Sequence, residues 1–210
     1  MIITFYGEGC FKIQSGETTL LTDPFDNKSG LTPPRIKPDI LIKTITPFPI
    51  TDQILTQETG KSIYGPGEYN IKEADIYGFL LPKESEESFF KTVYSVKIEG
   101  ISLCFLGHIS QNPEPSFLEH LGSVDILFIP AGGEPFIDQK SAIKLIKQIE
   151  PKIIVPSFFK LPGLKRQSSD IKIFLEEFNH NQKTDPQEKL SIKKKEFNEI
   201  KSAQIIVLKP

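Results

Sequence analysis

The residue types that most often carry chemistry are sparse in this chain. There are three histidines, His108, His120 and His180, and two cysteines, Cys10 and Cys104. Neither cysteine belongs to a paired-Cys metal motif. Both lie in apolar, strand-like surroundings, Gly-Cys-Phe and Leu-Cys-Phe, where a small buried thiol is expected. Ser110 follows His108 by two residues and Ser157 follows an apolar run, but no Gly-x-Ser-x-Gly elbow accompanies either. Gly65-Pro66-Gly67 and Gly132-Gly133 lack the Gly-Lys-Ser/Thr or Gly-x-Gly-x-x-Gly companions of a phosphate cradle, and they read as tight turns. His120 sits near the end of a helical stretch, where its charge suits the helix dipole, and His180 sits in a polar loop.

The elements that must position these groups change in character along the chain. The first third is short β-favouring runs between Gly-containing turns: IITFYG, CFKIQSG, TTLLTD, then DILIK after a proline-rich loop. In the second run Phe11 and Ile13 alternate with Lys12 and Gln14, as in a half-exposed strand. The stretch KTITPFPIT, residues 43–51, reads as a loop carrying prolines and apolar side chains, and DQILTQETG after it as a short helix capped by Thr51 or Asp52. SIYGPGEYNI, ADIYGFLL, KTVYSVKIEG and ISLCFLGH continue as strands. Helix and strand then alternate through PSFLEHLG, VDILFIP, DQKSAIKLIKQIE, KIIVPS and SDIKIFLEEF, and KLSIKKKEF and AQIIVL close the chain as strands. Ala142, Ile143, Ile146 and Ile149 share one helical face. This order implies an α/β sandwich of two central sheets with helices outside.

At 210 residues the chain supports one sizeable core, read here as one domain over 1–210. With 25 basic and 27 acidic residues its net charge is -2, which gives no electrostatic reason to expect nucleic acid or an anionic membrane as a partner. The run Lys193-Lys194-Lys195 is short, is followed by Glu196, and reads as a solvated strand edge. The N-terminus lacks the pattern of a signal peptide and no apolar run reaches transmembrane length, so a soluble, cytoplasmic protein is expected.

The pieces, in order, resemble one family. MIITFYGEGCFKIQSGETTLLTDPF, GPGEY, ISLCFLGH, LGSVDILFIPAGGE and AIKLIKQIEPKIIVPSFFK are similar to successive segments of the compact metallo-β-lactamase-fold hydrolases, the small zinc- or manganese-dependent branch. The resemblance covers nearly the whole chain. It implies a four-layer αβ/βα sandwich, and relatives of this kind often form oligomers, so a homo-oligomer is an expectation.

The resemblance also implies a metal site, and here the residues depart from it. The family binds metal through His-x-His-x-Asp-His just after the strand equivalent to DILIK. Aligned, those ligand positions hold Ile45, Pro47, Pro49 and Ile50, none of which offers a side-chain electron pair. The early Gly-His is Gly7-Glu8, the bridging aspartate of Leu-Gly-Asp is His108, and the last metal histidine is Phe158. The expectation is therefore no metal cofactor and a pseudoenzyme that keeps the scaffold for binding or assembly. The alternative is a hydrolase of the phosphodiester or lactone class, with an atypical site around Glu8, Asp23 and His108, Cys10 beside them, and weakly held Zn or Mn. Carboxylate and imidazole suit that acid/base or metal chemistry. Against it stands a structural arrangement in which Glu8 hydrogen-bonds His108 and Asp23 caps the turn at Pro24. Phe48, Phe158 and Phe159, with Ile45 and Ile50, are expected to line or fill the pocket, Phe48 also serving as a protein-contact anchor.

Overall fold

The computed structural model describes residues 1–51, 61–178, 185–198, 200 and 202–210. Strands β1 (Ile2–Gly7), β2 (Cys10–Ser15) and β3 (Thr18–Thr22) pair antiparallel through tight turns. Then β4 (Ile40–Lys43) adds parallel to β3, and β6 (Lys61–Tyr64) parallel to β4. With β13 (Lys189–Ser191) beside β1, the first sheet runs β13-β1-β2-β3-β4-β6. The second sheet runs from β14 (Gln204–Ile205) through β12 (Ile153–Ser157), β11 (Ile126–Pro130), β10 (Ile101–Phe105), β9 (Phe89–Ile98) and β8 (Ala74–Leu80) to β7 (Gly67–Ile71).

Side-chain alternation explains why the first sheet is buried on both faces. Phe11, Leu20 and Ile40 point into the main core, whereas their neighbours Cys10, Leu21 and Leu41 point the other way. There they pack with Tyr6, Phe25 and Ile36 from β1 and the proline-rich loop. On the inner side aromatic rings bridge the sheets: Phe5 stacks on Phe11 at 4.9 Å, Phe11 meets Phe128 at 4.7 Å, and Phe105 stacks on Phe128 at 4.3 Å. Such contacts add roughly 0.5–1.5 kcal/mol each beyond the area they bury.

Three helices complete the described architecture: α1 (Pro115–Leu121), α2 (Gln139–Ile149) and α3 (Ile171–Glu177). The parallel step from β11 to β12 is made by α2, whose Asp138 cap accepts a bond from the Ser141 N–H. It buries Ala142, Ile143, Leu145 and Ile146. The result is a two-sheet α/β sandwich, as the order of the elements implies. Among the described residues no helix is long and apolar enough to cross a membrane.

Two local expectations change. KTITPFPIT is not wholly loop: β5 (Ile45–Pro47) pairs antiparallel with Phe89–Lys91 of β9. The Phe48 N–H reaches the Ser88 carbonyl, and the Thr92 N–H reaches the Thr44 carbonyl. The chain thus leaves the first sheet at Lys43 and joins the second at Ile45, with Thr44 at the crossing. β-branched Ile45 and Thr46 favour the pairing, and Pro47 is tolerated at the strand's end. KLSIKKKEF is strand only over Lys189–Ser191, and Lys194–Asn198 forms a 3-10 turn instead of a strand edge. Burying Phe197 there while exposing Lys193 to Lys195 breaks the two-residue period that a strand needs. The helix expected over 52–60 lies outside the described residues.

Candidate functional site

Parallel strands end together, and here four of those carboxyl ends supply a site. Asp23 follows β3, Thr44 follows β4, His108 follows β10 by three residues, and Phe158 follows β12. Glu8 comes from the β1–β2 turn. Glu8, Asp23 and Phe158 all have positive φ (53°, 37° and 55°), a backbone state that costs a non-glycine residue about 1 kcal/mol or more.

Glu8 is tied down from a distant part of the chain. The Phe158 N–H donates to the Glu8 carbonyl at 3.0 Å. Arg166, from the loop after β12, donates from Nη2 to Glu8 Oε2 at 2.7 Å and from Nε to both carboxylate oxygens at 3.2 Å. Nη2 also reaches the Phe158 carbonyl at 2.7 Å. The guanidinium lies over the Phe136 ring, 4.9 Å from its centroid, and 5.9 Å from that of Phe158. Only 14% of the Glu8 side chain and 21% of the Arg166 side chain stay exposed.

Asp23 and His108 are joined through Thr44. The Thr44 N–H donates to Asp23 Oδ1, and Thr44 Oγ1 lies 2.7 Å from both Asp23 Oδ2 and His108 Nδ1. Asp23 and His108 themselves are 3.9 Å apart. Burial raises the Asp23 carboxyl above its ordinary range, against the opposing pull of His108, the Thr44 bonds and Lys43. Burial likewise holds His108 below its ordinary value, with Asp23 pulling the other way. A hydroxyl between them lets two arrangements of the same three protons interconvert. Either Asp23 is protonated beside a neutral His108, or a carboxylate faces an imidazolium. In both of these His108 Nε2 carries a proton, whereas a carboxylate facing a neutral His108 protonated at Nδ1 leaves Nε2 bare. Nε2 bonds no described residue and is not among the buried unpartnered nitrogens and oxygens.

These groups border a cavity of about 390 Å³, together with Pro24, Phe25, Lys43, Ile45, Pro47 and Phe136. The structure thus brings Glu8, Asp23 and His108 to one place, but not as the hydrogen-bonded Glu8–His108 pair expected of a structural arrangement, because Arg166 holds Glu8 and Thr44 holds His108. Asp23 does not simply cap its own turn: it anchors the sheet-to-sheet crossing at Thr44. Of the residues expected to line the pocket, Ile45 and Phe158 do so. Phe159 points into the core, 5.7 Å from Phe5. Phe48 is 56% exposed against Phe90 and Pro49 is exposed, and neither they nor Ile50 border the cavity.

The site can be asked whether it fits zinc or manganese. Each would need three or four nitrogen, oxygen or sulfur donors around one point. Ile45, Pro47 and Phe158 offer none. Both oxygens of Glu8 accept from Arg166, and both oxygens of Asp23 are bonded to Thr44. The Phe158 ring packs 4.9 Å from His108, and a Cβ on Gly9 would stand 2.5 Å from it. Among the described residues no group of three His, Cys, Asp or Glu side chains is placed to hold an ion. The residues do not fit the metals.

The other candidates from the sequence go elsewhere. Ser110 donates to buried Glu84 at 2.6 Å, alongside Lys91, and not to His108. Ser157 is buried at the end of β12, and Cys10 lies on the outer face of the first sheet with its thiol pushed up by burial. His120 Nδ1 bonds the Ser116 carbonyl within α1. Gly65, Gly67 and Gly133 have the positive φ of turn glycines, whereas Gly132 serves a close approach to the Phe158 carbonyl. His180 lies outside the described residues. Sequence reasoning missed Thr44, Lys43, Phe136 and Arg166. Arg166 carried one signal: it is one of only two arginines in a lysine-rich chain.

Comparison with known proteins agrees with the fold. The beta-lactamase superfamily domain matches residues 2–157. No curated protein sequence matches the chain. Among solved structures, a protein of Thermotoga maritima named as a Zn-dependent hydrolase of the metallo-beta-lactamase superfamily superposes with a TM-score of 0.80 at 24% identity, covering 99% of this chain and 97% of that one. Igni18, a metallo hydrolase from the archaeon Ignicoccus hospitalis, gives 0.61 at 15% identity over 98% and 94%. The metallo-beta-lactamase fold protein YhfI from Bacillus subtilis gives 0.61 at 10% identity over 99% and 96%. At these identities the likeness is one of fold.

Proposed function

Since this chain belongs to the metallo-β-lactamase superfamily, a family of hydrolases, we propose that it is a member whose metal site has been replaced by protein. It keeps the scaffold as a metal-free binding protein. One observation carries the reading. Where the resemblance places ions and their ligands, a guanidinium grips Glu8 and a phenyl ring packs against His108. Arg166 supplies the positive charge that a cation would bring, so the carboxylate stays paired in a half-buried site. The cavity that remains, with its apolar and aromatic wall, suits a small ligand. Metal analysis of protein purified without chelator tests this, together with a phosphodiesterase and lactonase screen with Zn or Mn added. Absence of both metal and turnover is expected.

A second reading is favoured by the Asp23–Thr44–His108 chain. A carboxylate that orients an imidazole, with Nε2 left for the cavity, is the acid/base part of a hydrolase site. Glu8 drops out of that site because Arg166 occupies it. Turnover that survives chelation and disappears in His108→Ala would favour this reading over the first.

A further inference from the structure

We infer that the cavity at the strand ends is a site for a small aromatic carboxylate; this rests on the binding role proposed above and names its ligand class. The polar groups around the cavity are sorted by sign. Both acids border the cavity but are mostly buried and engaged: Asp23, 8% exposed, by Thr44, and Glu8, 14% exposed, by Arg166. Beside them the wall carries basic groups. Lys43 borders the cavity and brings a positive charge to its wall. His108 Nε2 bonds no described residue and donates whenever it carries a ring proton. Phe25, Phe136, Phe158 and Ile45 supply the apolar part of the lining.

A ligand that satisfies both halves has one anionic acceptor and one ring. The volume of about 390 Å³ accommodates such a molecule and lies in the usual range for small-molecule sites. A bound carboxylate favours a proton on His108, so binding and protonation of the ring support each other. The charged groups acting on His108 are Asp23, Lys91, Glu8 and Arg166, and Lys43 acts on Asp23. Lys91 is paired with Glu84, and Arg166 with Glu8. The proton on His108 is therefore the one expected to change with ligand.

Benzoate, acetate and benzyl alcohol separate the contributions in the unaltered protein, read by the His108 ring resonances in an NMR titration. Benzoate should give saturable shifts, with acetate and benzyl alcohol each weaker by about tenfold or more. Benzoate affinity should rise as the pH falls through about 6.5 and below, because burial holds His108 under its ordinary value. It should fall about tenfold in Lys43→Gln of unchanged melting temperature. Benzyl alcohol binding as well as benzoate, no saturable shift with benzoate, or a Lys43→Gln variant that binds it undiminished would each overturn the inference. Any of these would leave the metal-free reading standing, because that reading is decided by metal content. A protein that purifies with bound metal would end both.

Discussion

Arg166 Nη2 sits 2.7 Å from Glu8 Oε2, across a sequence separation of 158 residues. The same nitrogen caps the Phe158 carbonyl, so one side chain closes the β1–β2 turn onto the end of β12. This clip occupies the floor of the site, and its energetics can be measured.

Arg166→Ala should destabilise the fold by about 2–4 kcal/mol in denaturant unfolding, because it strands a half-buried carboxylate and an uncapped carbonyl. Glu8→Gln should relieve part of that loss when combined with Arg166→Ala. A double-mutant cycle should therefore show coupling of about 1 kcal/mol or more. Additive effects would mean that the contact contributes nothing specific.

Phe158 combines a buried ring with a φ of 55°. Phe158→Ala should cost about 3–5 kcal/mol through the lost packing. Phe158→Gly loses the same ring but removes the strain of the left-handed backbone, so it should be the milder change by roughly 1 kcal/mol. Equal losses would show that this backbone state carries no cost here.

Thr44→Val keeps the shape of the side chain but removes the hydroxyl between Asp23 and His108. A loss of about 1–3 kcal/mol is expected, with Thr44→Ser close to the parent. Nitrogen-15 NMR of the His108 ring should report a changed balance between Nδ1 and Nε2 protonation in the Val variant alone. An unchanged ring signal would mean that the chain of bonds does not set the tautomer.

Two titrations act on stability in opposite senses. His108 has a lowered pKa in the folded state, so the unfolded chain takes up its proton first as pH falls. The stability that this neutral histidine preserves is full above its ordinary pKa near 6.5 and is lost as pH drops through that value. Asp23 has a raised pKa, so its contribution is present below the ordinary carboxyl pKa near 3.8 and is lost as pH rises through the folded value. Between about pH 7 and pH 5 the His108 effect should dominate, and His108→Gln should flatten that part of the stability profile. A slope unchanged in His108→Gln would assign the effect to other groups.

Much of this was legible in the sequence, for reasons that are local. The β runs announce themselves by alternation, as in Phe11-Lys12-Ile13-Gln14, and α2 by its apolar stripe. The absence of donors at Ile45, Pro47 and Phe158 could be read from residue type alone. The contact between Arg166 and Glu8 could not. Arg166 meets Glu8 only because the loop after β12 folds back over the β1–β2 turn, and no periodicity encodes that contact. Thr44 looked like one polar residue in a proline-rich stretch. Its role depends on the chain changing sheets there, which places it between the ends of β3 and β10. The strand β5 was hidden for a related reason: three residues with a terminal proline carry little β signal until β9 offers an edge to pair with.

The central claim is that protein side chains have taken the place of the ions. Elemental analysis of the protein, purified without chelator and dialysed against metal-free buffer, tests it most directly. The account predicts zinc and manganese well below one ion per chain, unchanged in His108→Ala. One or more ions per chain, lost on His108→Ala, would contradict it.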